Sequence, residues 1–151
     1  MNFNNKMLQR GITLLELMIV VAIIAMIAAF AYPSYTQYIV DTKRTAATST
    51  LLQVADRQQQ FFMDNKRFTT DMTDLGYQDN PLWVSDDGNR VVAGDADAVY
   101  VFGLVNVTPT EFLAFAVPIG QQQIRDSKCG ALTLNNARAR MAYGTDPDDC
   151  W

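Results

Sequence analysis

The feature that most constrains this 151-residue chain is an apolar run close to its N-terminus. Residues 17–32 contain no charged side chain, and the wider segment from Ile12 to Ala31 carries only Glu16. Twenty residues at 1.5 Å each make a helix about 30 Å long, which matches the hydrocarbon thickness of a bilayer. The sequence therefore predicts one membrane-spanning helix at this position.

The residues ahead of this run predict its orientation. They include Lys6 and Arg10 and no acidic residue, so the positive-inside rule places this end in the cytoplasm and the rest of the chain across the membrane. A cleavable secretory signal would have a shorter apolar core, of about 7 to 15 residues. A plain signal anchor would have no use for a carboxylate such as Glu16.

Composition excludes several classes of protein. The formal net charge is −4 and the pI is about 4.6, which disfavours a generally basic nucleic-acid binder. The chain has no histidine, so triads and metal sites built on imidazole are excluded. It also has no glycine-rich phosphate loop, and we expect no enzyme activity and no cofactor. The two cysteines, Cys129 and Cys150, are too few for a zinc cage and the right number for one disulfide.

The residues directly ahead of the apolar run are Arg10-Gly11-Ile12-Thr13-Leu14-Leu15-Glu16. This stretch resembles the class III leader of type IV pilins and pseudopilins. The resemblance implies that a prepilin peptidase removes residues 1–11 by cutting after Gly11, and that it methylates the new N-terminus at Ile12. Glu16 then occupies the fifth mature position, as in the family. Ile12 itself is a departure, because the family usually has Phe or Met there.

Glu16 has two compatible interpretations. Thr13 to Glu16 fits the S/T-x-x-E capping box, in which the carboxylate satisfies a free backbone N–H at the start of a helix. A carboxylate so close to an apolar segment is also a functional candidate that needs a partner. The resemblance implies that this partner is the N-terminal ammonium of Ile12 on a neighbouring subunit, which would set the axial register during assembly.

Pro33 interrupts a helical pattern that continues beyond it. Proline removes one backbone hydrogen bond, which either ends a helix or leaves a weak point in it. Residues 34–65 contain no glycine or further proline, and apolar residues recur at three- and four-residue steps. By its resemblance to pilins, the chain is expected to form one helix from about Thr13 to Asp64. Residues 12–33 would be the transmembrane and filament-core half, and residues 34–151 the amphipathic half with a globular head.

The head has the pattern of a sheet. Residues 98–107 and 111–119 predict an antiparallel hairpin, residues 82–85 and 90–93 flank a turn, and residues 131–135 give another short strand. Together with the resemblance to pilins, this pattern implies an α+β type IV pilin fold, with a roughly four-stranded antiparallel sheet, and an additional hairpin as an option, on one long helix. Five aspartates between residues 79 and 97 fit solvated turns better than a calcium site, because their spacing does not match an EF-hand loop.

The C-terminal residues 125–135 and 149–151 resemble the C-terminal signature of minor pilins of the PilE and ComP type. The resemblance implies that Cys129 and Cys150 close an exposed D-region. Closing a loop of this size would stabilise the fold by about 3 kcal/mol. Residues 136–140 stand where the family continues with an early glycine, so the shape of this loop is expected to differ.

The leading functional prediction is a structural subunit, a minor pilin that waits in the inner membrane as a single-pass protein with a periplasmic head and then enters an extracellular filament. Other pilin subunits, the prepilin peptidase and the inner-membrane assembly machinery would be its partners. Twitching motility, adhesion and DNA uptake follow only from the family.

Two alternatives remain open, a DNA receptor of the ComP type and a pseudopilin of type II secretion. In the first alternative, four cations would contact the DNA phosphates: Arg125, Lys128, Arg138 and Arg140. Four aspartates near them in the sequence offset their positive charge: Asp126, Asp146, Asp148 and Asp149.

Overall fold

A computed structural model describes residues 12–151 of the chain, and it has the predicted α+β class. These residues form two compact units with a boundary after Tyr38. The elements in chain order are α1 (Leu14–Asn65), a 3₁₀ turn (Met72–Leu75), β1 (Leu82–Ser85), β2 (Arg90–Val91), β3 (Ala98–Val105), β4 (Leu113–Pro118), α2 (Gly120–Arg125), β5 (Leu132–Asn135) and β6 (Arg140–Ala142).

Helix α1 confirms the predicted long helix to within one residue at each end. It passes through Pro33 without ending, so the interpretation of this proline as a helix terminator is wrong. Near the proline, the Thr36 hydroxyl donates a hydrogen bond of 2.9 Å to the Pro33 carbonyl. That bond satisfies a backbone acceptor in the turn that follows the proline.

In the first unit, apolar side chains are exposed on every side of α1. Every residue from Ile12 to Tyr35 is exposed, including Leu17 at 57% and Phe30 at 78%. In the described residues, α1 is the one helix long and apolar enough to cross a membrane, judged by its length and composition. The apolar surface of this segment is therefore available to a partner outside the chain.

In the second unit, α1 buries a single stripe of side chains. The buried positions recur at three- and four-residue steps, as predicted for an amphipathic helix: Val40, Ala47, Leu51, Val54, Ala55 and Gln58. Leu51 is completely buried. The side-chain amide of Gln58 closes this stretch, since it donates to the Thr69 carbonyl at 2.7 Å while its oxygen accepts from the Thr69 N–H at 3.2 Å.

The sheet is antiparallel throughout, in the order β2-β1-β3-β4-β5-β6. Strands β3 and β4 form the predicted hairpin, with Val101 opposite Val117. The sheet has six strands where we predicted roughly four, because the optional hairpin forms as β1 with β2 and because β6 was not predicted. β2 and β6 have two and three residues, too few for a clear alternating pattern.

The core of the head contains residues of both layers. Tyr100 and Phe102 of β3, Ala114 and Ala116 of β4 and Leu132 and Leu134 of β5 alternate with less buried neighbours, and they belong to the same cluster as Leu51 of α1. Phe112 completes the cluster, with its ring edge against Phe68 at a centroid distance of 4.8 Å. One sheet face packed with a helix stripe gives this unit a closed core.

Candidate functional site

The predicted processing site lies at the edge of the described residues. Gly11, like Lys6 and Arg10, falls outside them. Ile12 is the first described residue and is 77% exposed. The assignment of Gly11 and Ile12 to peptidase cleavage and methylation stays a prediction.

One half of the predicted capping box is present at the start of α1. The Glu16 N–H donates to the Thr13 hydroxyl oxygen at 3.2 Å, and the Leu17 N–H donates to the Thr13 carbonyl at 3.1 Å. Thr13 is therefore the capping residue. In the described part of the chain, the Glu16 carboxylate makes no ion pair and no return hydrogen bond to the cap. It is exposed and available to a partner from outside the chain.

The C-terminal loop is closed by the predicted disulfide between Cys129 and Cys150, with the two Cα atoms 5.4 Å apart. Two glycines let its backbone segments approach closely. Gly130 has φ +61°, and a Cβ there would lie 2.8 Å from the Tyr143 carbonyl oxygen. A Cβ on Gly144 would lie 2.0 Å from the Lys128 carbonyl oxygen. The base of this loop therefore requires glycine at both positions.

The four predicted DNA-contacting cations differ in their surroundings. Lys128 pairs with Asp146 at 3.5 Å, and Arg138 pairs with Asp56 of α1. Arg140 lies over the Trp151 ring, 5.5 Å from its centroid, and Arg125 ends α2 with an exposed side chain. Within residues 12–151, no carboxylate lies within ion-pair distance of Arg125 or Arg140.

Asp126, which the sequence places among these surface charges, is in fact buried, with only 1% of its surface exposed. Its Oδ2 atom accepts from Arg44 Nε at 3.1 Å, from the Tyr100 hydroxyl at 3.3 Å and from Gln122 Nε2 at 3.3 Å. Asp126 therefore does not offset the surface cations. Sequence analysis missed this cluster because Arg44 and Asp126 stand 82 residues apart.

The cluster joins three elements of the head. Gln122 of α2 donates to the Val40 carbonyl of α1 and to the Tyr100 hydroxyl of β3, both at 3.2 Å. The Asp126 carbonyl accepts from the Cys129 and Gly130 N–H groups at the start of the disulfide loop. α1, β3 and the loop are thus held by one polar network that is shielded from water.

Burial dominates the titration of this network. It raises the pKa of the Asp126 carboxyl above its usual value, and the Arg44 guanidinium opposes that rise only in part. Burial likewise raises the pKa of the Tyr100 phenol. The cluster is a structural support for the loop, since Tyr100, Gln122 and Asp126 are buried and Arg44 is only partly exposed.

The aspartates of the middle loops accept hydrogen bonds within turns or form ion pairs at the surface. Asp87 accepts from the Asn89 N–H at 3.1 Å and Asp95 from the Asp97 N–H at 2.9 Å, while Asp79 pairs with Arg90 and Asp86 pairs with Lys43. Hydrogen bonds from the Ser85 hydroxyl and from Asn89 lower the pKa of Asp87. In the part of the chain that is described, no group of three or more metal-binding side chains comes together.

Comparison with protein families gives two matches. The family described as "Type IV minor pilin ComP, DNA uptake sequence receptor" matches residues 33–133, two thirds of the chain. The prokaryotic N-terminal methylation motif matches residues 6–32. Together the two matches run from residue 6 to residue 133.

Individual proteins that resemble this chain match only a part of it. The type IV major pilin protein PilA of Myxococcus xanthus is 37% identical over 68 residues, which are 45% of this chain and 31% of PilA. The type IV major fimbrial protein FimA of Dichelobacter nodosus is 50% identical over 44 residues, 29% of this chain and 28% of FimA. The chain thus matches less than a third of the length of these relatives. A crystal structure of the non-core minor pilin PilV of Neisseria meningitidis superposes with a TM-score of 0.47 and 18% identity, covering 72% of this chain and 91% of PilV.

Proposed function

Since this chain belongs to the family of ComP-type type IV minor pilins, we propose that it is a minor subunit of a pilus, inserted in the inner membrane and then assembled through residues 12–38. The observation that carries the proposal is the contrast within α1. Its first part is apolar and exposed on every side, although the head has a closed core of its own. Such a segment is stable only in lipid or among other apolar helices.

Glu16 and Ile12 give this assembly its register. The exposed Glu16 carboxylate is four residues after Ile12 in the sequence, and cleavage after Gly11 would create an ammonium group at Ile12. In an apolar surrounding, a carboxylate stays ionised only when a cation pairs with it. The Ile12 ammonium of a neighbouring subunit is the cation that the resemblance implies. Orientation of the head towards the periplasm follows from Lys6 and Arg10.

The decisive experiment is mass spectrometry of the intact protein and of its N-terminus, recovered separately from membranes and from sheared surface filaments. We expect a chain that begins at N-methylated Ile12, two hydrogens lighter for the disulfide, in the filament fraction. Glu16→Ala should be cleaved normally and be depleted from filaments, with Glu111→Ala in the head as the matched control. A chain that starts at Met1 and stays in membranes would contradict the proposal.

A second function of the same subunit is DNA contact by cations at the end of α2 and in the C-terminal loop. The matched family is described as a DNA uptake sequence receptor. Arg125 and Arg140 have no carboxylate partner in the described residues, and Asp126 is withdrawn into the interior. Exposed cations of this kind bind phosphates and release counterions. Asp148 and Asp149 remain exposed nearby in sequence, so we expect binding at low salt only.

Electrophoretic retardation of duplex DNA by the full chain in a non-ionic detergent tests this second function. Arg125→Ala with Arg140→Ala should weaken binding and reduce the salt slope by about one for each phosphate that is no longer neutralised. Arg90→Ala, which removes a cation already paired with Asp79, is the matched control and should change little. If the wild-type chain gives no shift at low salt, the head does not bind DNA, while the assembly proposal is unaffected.

A further inference from the structure

Three tyrosines follow the apolar segment of α1 at equal spacing. Tyr32, Tyr35 and Tyr38 are 71%, 64% and 67% exposed. A helix turns by about 100° per residue, so steps of three residues place the three rings within an arc of roughly 120° on one side. They form a continuous aromatic strip, which we call the tyrosine strip.

The position of the tyrosine strip matches the layering of a bilayer. The segment from Ile12 to Ala31 is as long as the hydrocarbon layer, and after Glu16 the next charged residue is Asp41. The strip rises by about 9 Å from its first to its last tyrosine. The headgroup layer on one side of a bilayer is about 5 to 8 Å thick. With residues 12–31 in hydrocarbon, the phenol groups therefore lie in the headgroup layer.

The chemistry of tyrosine suits that layer. Its ring is apolar, and its hydroxyl forms hydrogen bonds with water, phosphate and ester groups, which is why tyrosine is enriched where membranes meet water. The tyrosine strip lies between the apolar segment and Asp41, in a stretch without charged residues, and so has the properties of an interfacial anchor. The polar Ser34 and Thr36 between the tyrosines favour the same environment.

We propose that the tyrosine strip binds phospholipid headgroups at the outer face of the inner membrane, and so fixes the depth at which the unassembled subunit is held. The inference rests on the proposed function in one respect, the insertion of residues 12–31 in that membrane. Fixing the depth at this end also fixes Ile12 and Glu16 at the opposite face, where the peptidase must reach the cleavage site.

Cysteine accessibility measures this depth directly. Both native cysteines are paired in the disulfide, so one introduced cysteine is the sole free thiol. Phe30→Cys, Ser34→Cys and Thr45→Cys, one at a time, are treated in spheroplasts with a maleimide that cannot cross membranes. In the otherwise native chain we expect protection at position 30, labelling at position 34 and full labelling at position 45.

The test variant replaces all three tyrosines of the strip with leucine. Leucines at positions 32, 35 and 38 then prolong one apolar side of the helix towards Val40, and labelling at position 34 should fall about tenfold because the thiol sinks by up to about 9 Å. Tyr143→Leu, which removes an exposed tyrosine of the head, is the matched control and should leave labelling unchanged. Native tryptophan fluorescence from Trp83 and Trp151, together with an intact disulfide, shows that the head of each variant has folded.

Unchanged labelling at position 34 in the triple leucine variant would overturn the anchor. If that variant is in addition lost from filaments, the tyrosines are assigned to packing against a second subunit. If the native chain shows the expected labelling but never enters filaments, the anchor stands and the assembly proposal fails.

Discussion

Helix α1 exposes its apolar side chains before Tyr38 and buries a stripe of them after it. Leu17 is 57% exposed, whereas Leu51, on the same helix, is fully buried. The first segment is apolar all round, and the second carries one apolar stripe opposite polar residues. The pattern of hydrophobic residues thus shows whether a helix needs a partner on all sides or on one side.

Truncating a matched leucine in each segment should give the largest difference. Leu51→Ala should lower the free energy of unfolding of the head by about 4 kcal/mol, because it removes buried methyl groups and leaves a cavity. Leu17→Ala should change it by less than about 0.5 kcal/mol. Both tryptophans, Trp83 and Trp151, belong to the head, so their fluorescence during denaturation in detergent reports on that unit alone. Equal effects of the two substitutions would break the comparison.

Removal of the disulfide should come next. Cys129→Ser with Cys150→Ser should destabilise the head by about 3 kcal/mol, since the unfolded chain is no longer closed into a loop. The helical circular dichroism signal of the first segment should persist after the head has unfolded. Simultaneous loss of the helical and tryptophan signals would show that the two segments do not unfold independently.

The substitution Asp126→Asn should change how the free energy of unfolding of the head depends on pH, in a predictable direction. Burial raises the pKa of this carboxyl in the folded chain, so its contribution to stability is complete below its ordinary pKa of 3.8 and is lost as the pH rises through the folded-state value. The free energy of unfolding of the native chain relative to Asp126→Asn should therefore fall as the pH rises above about 3.8. Denaturant titrations of both proteins at increasing pH provide the measurement, and a relative stability that rises with pH would contradict the assignment.

The smallest effect is expected at the surface of the head. Arg138→Ala removes the exposed pair with Asp56 and should lower the free energy of unfolding by about 0.5 kcal/mol or less. High salt should abolish this small loss, because exposed pairs are screened. A loss of several kcal/mol would mean that Arg138 supports the fold and is unsuitable as a DNA-contact residue.

The part of the fold that was predictable from the sequence is the part with local patterns. The hairpin of β3 with β4 and the strand near residue 132 follow from periodicity and turn residues, whereas the extent of α1 as one continuous helix was implied by the resemblance to pilins. Helix α2 and strand β6 were not predicted, because six and three residues are too short to show a period. β6 forms by pairing with β5, with Met141 opposite Thr133, and α2 is held by the bonds of Gln122 to Val40 and Tyr100.

The residues of the candidate site also differ in whether a local sequence pattern predicts them. Thr13, Glu16 and the cysteine pair could be found in the sequence, because their signals are a short motif and a count. The burial of Asp126 could not be found, since it depends on Arg44 and Tyr100, which reach it from other elements. Its neighbours in sequence, Arg125 and Ser127, are exposed and gave the opposite indication.

The base of the C-terminal loop, where Gly130 and Gly144 let the backbone segments approach closely, suggests a position at which this protein could be engineered. The Thr145 and Asp146 N–H groups are bonded to the segment before Cys129, and Cys150 is tied to it by the disulfide. Between these fixed points, Pro147, Asp148 and Asp149 are exposed and belong to no strand. A foreign epitope inserted between Asp148 and Asp149 would have both of its ends held in place, which makes this loop tip a natural position for peptide display.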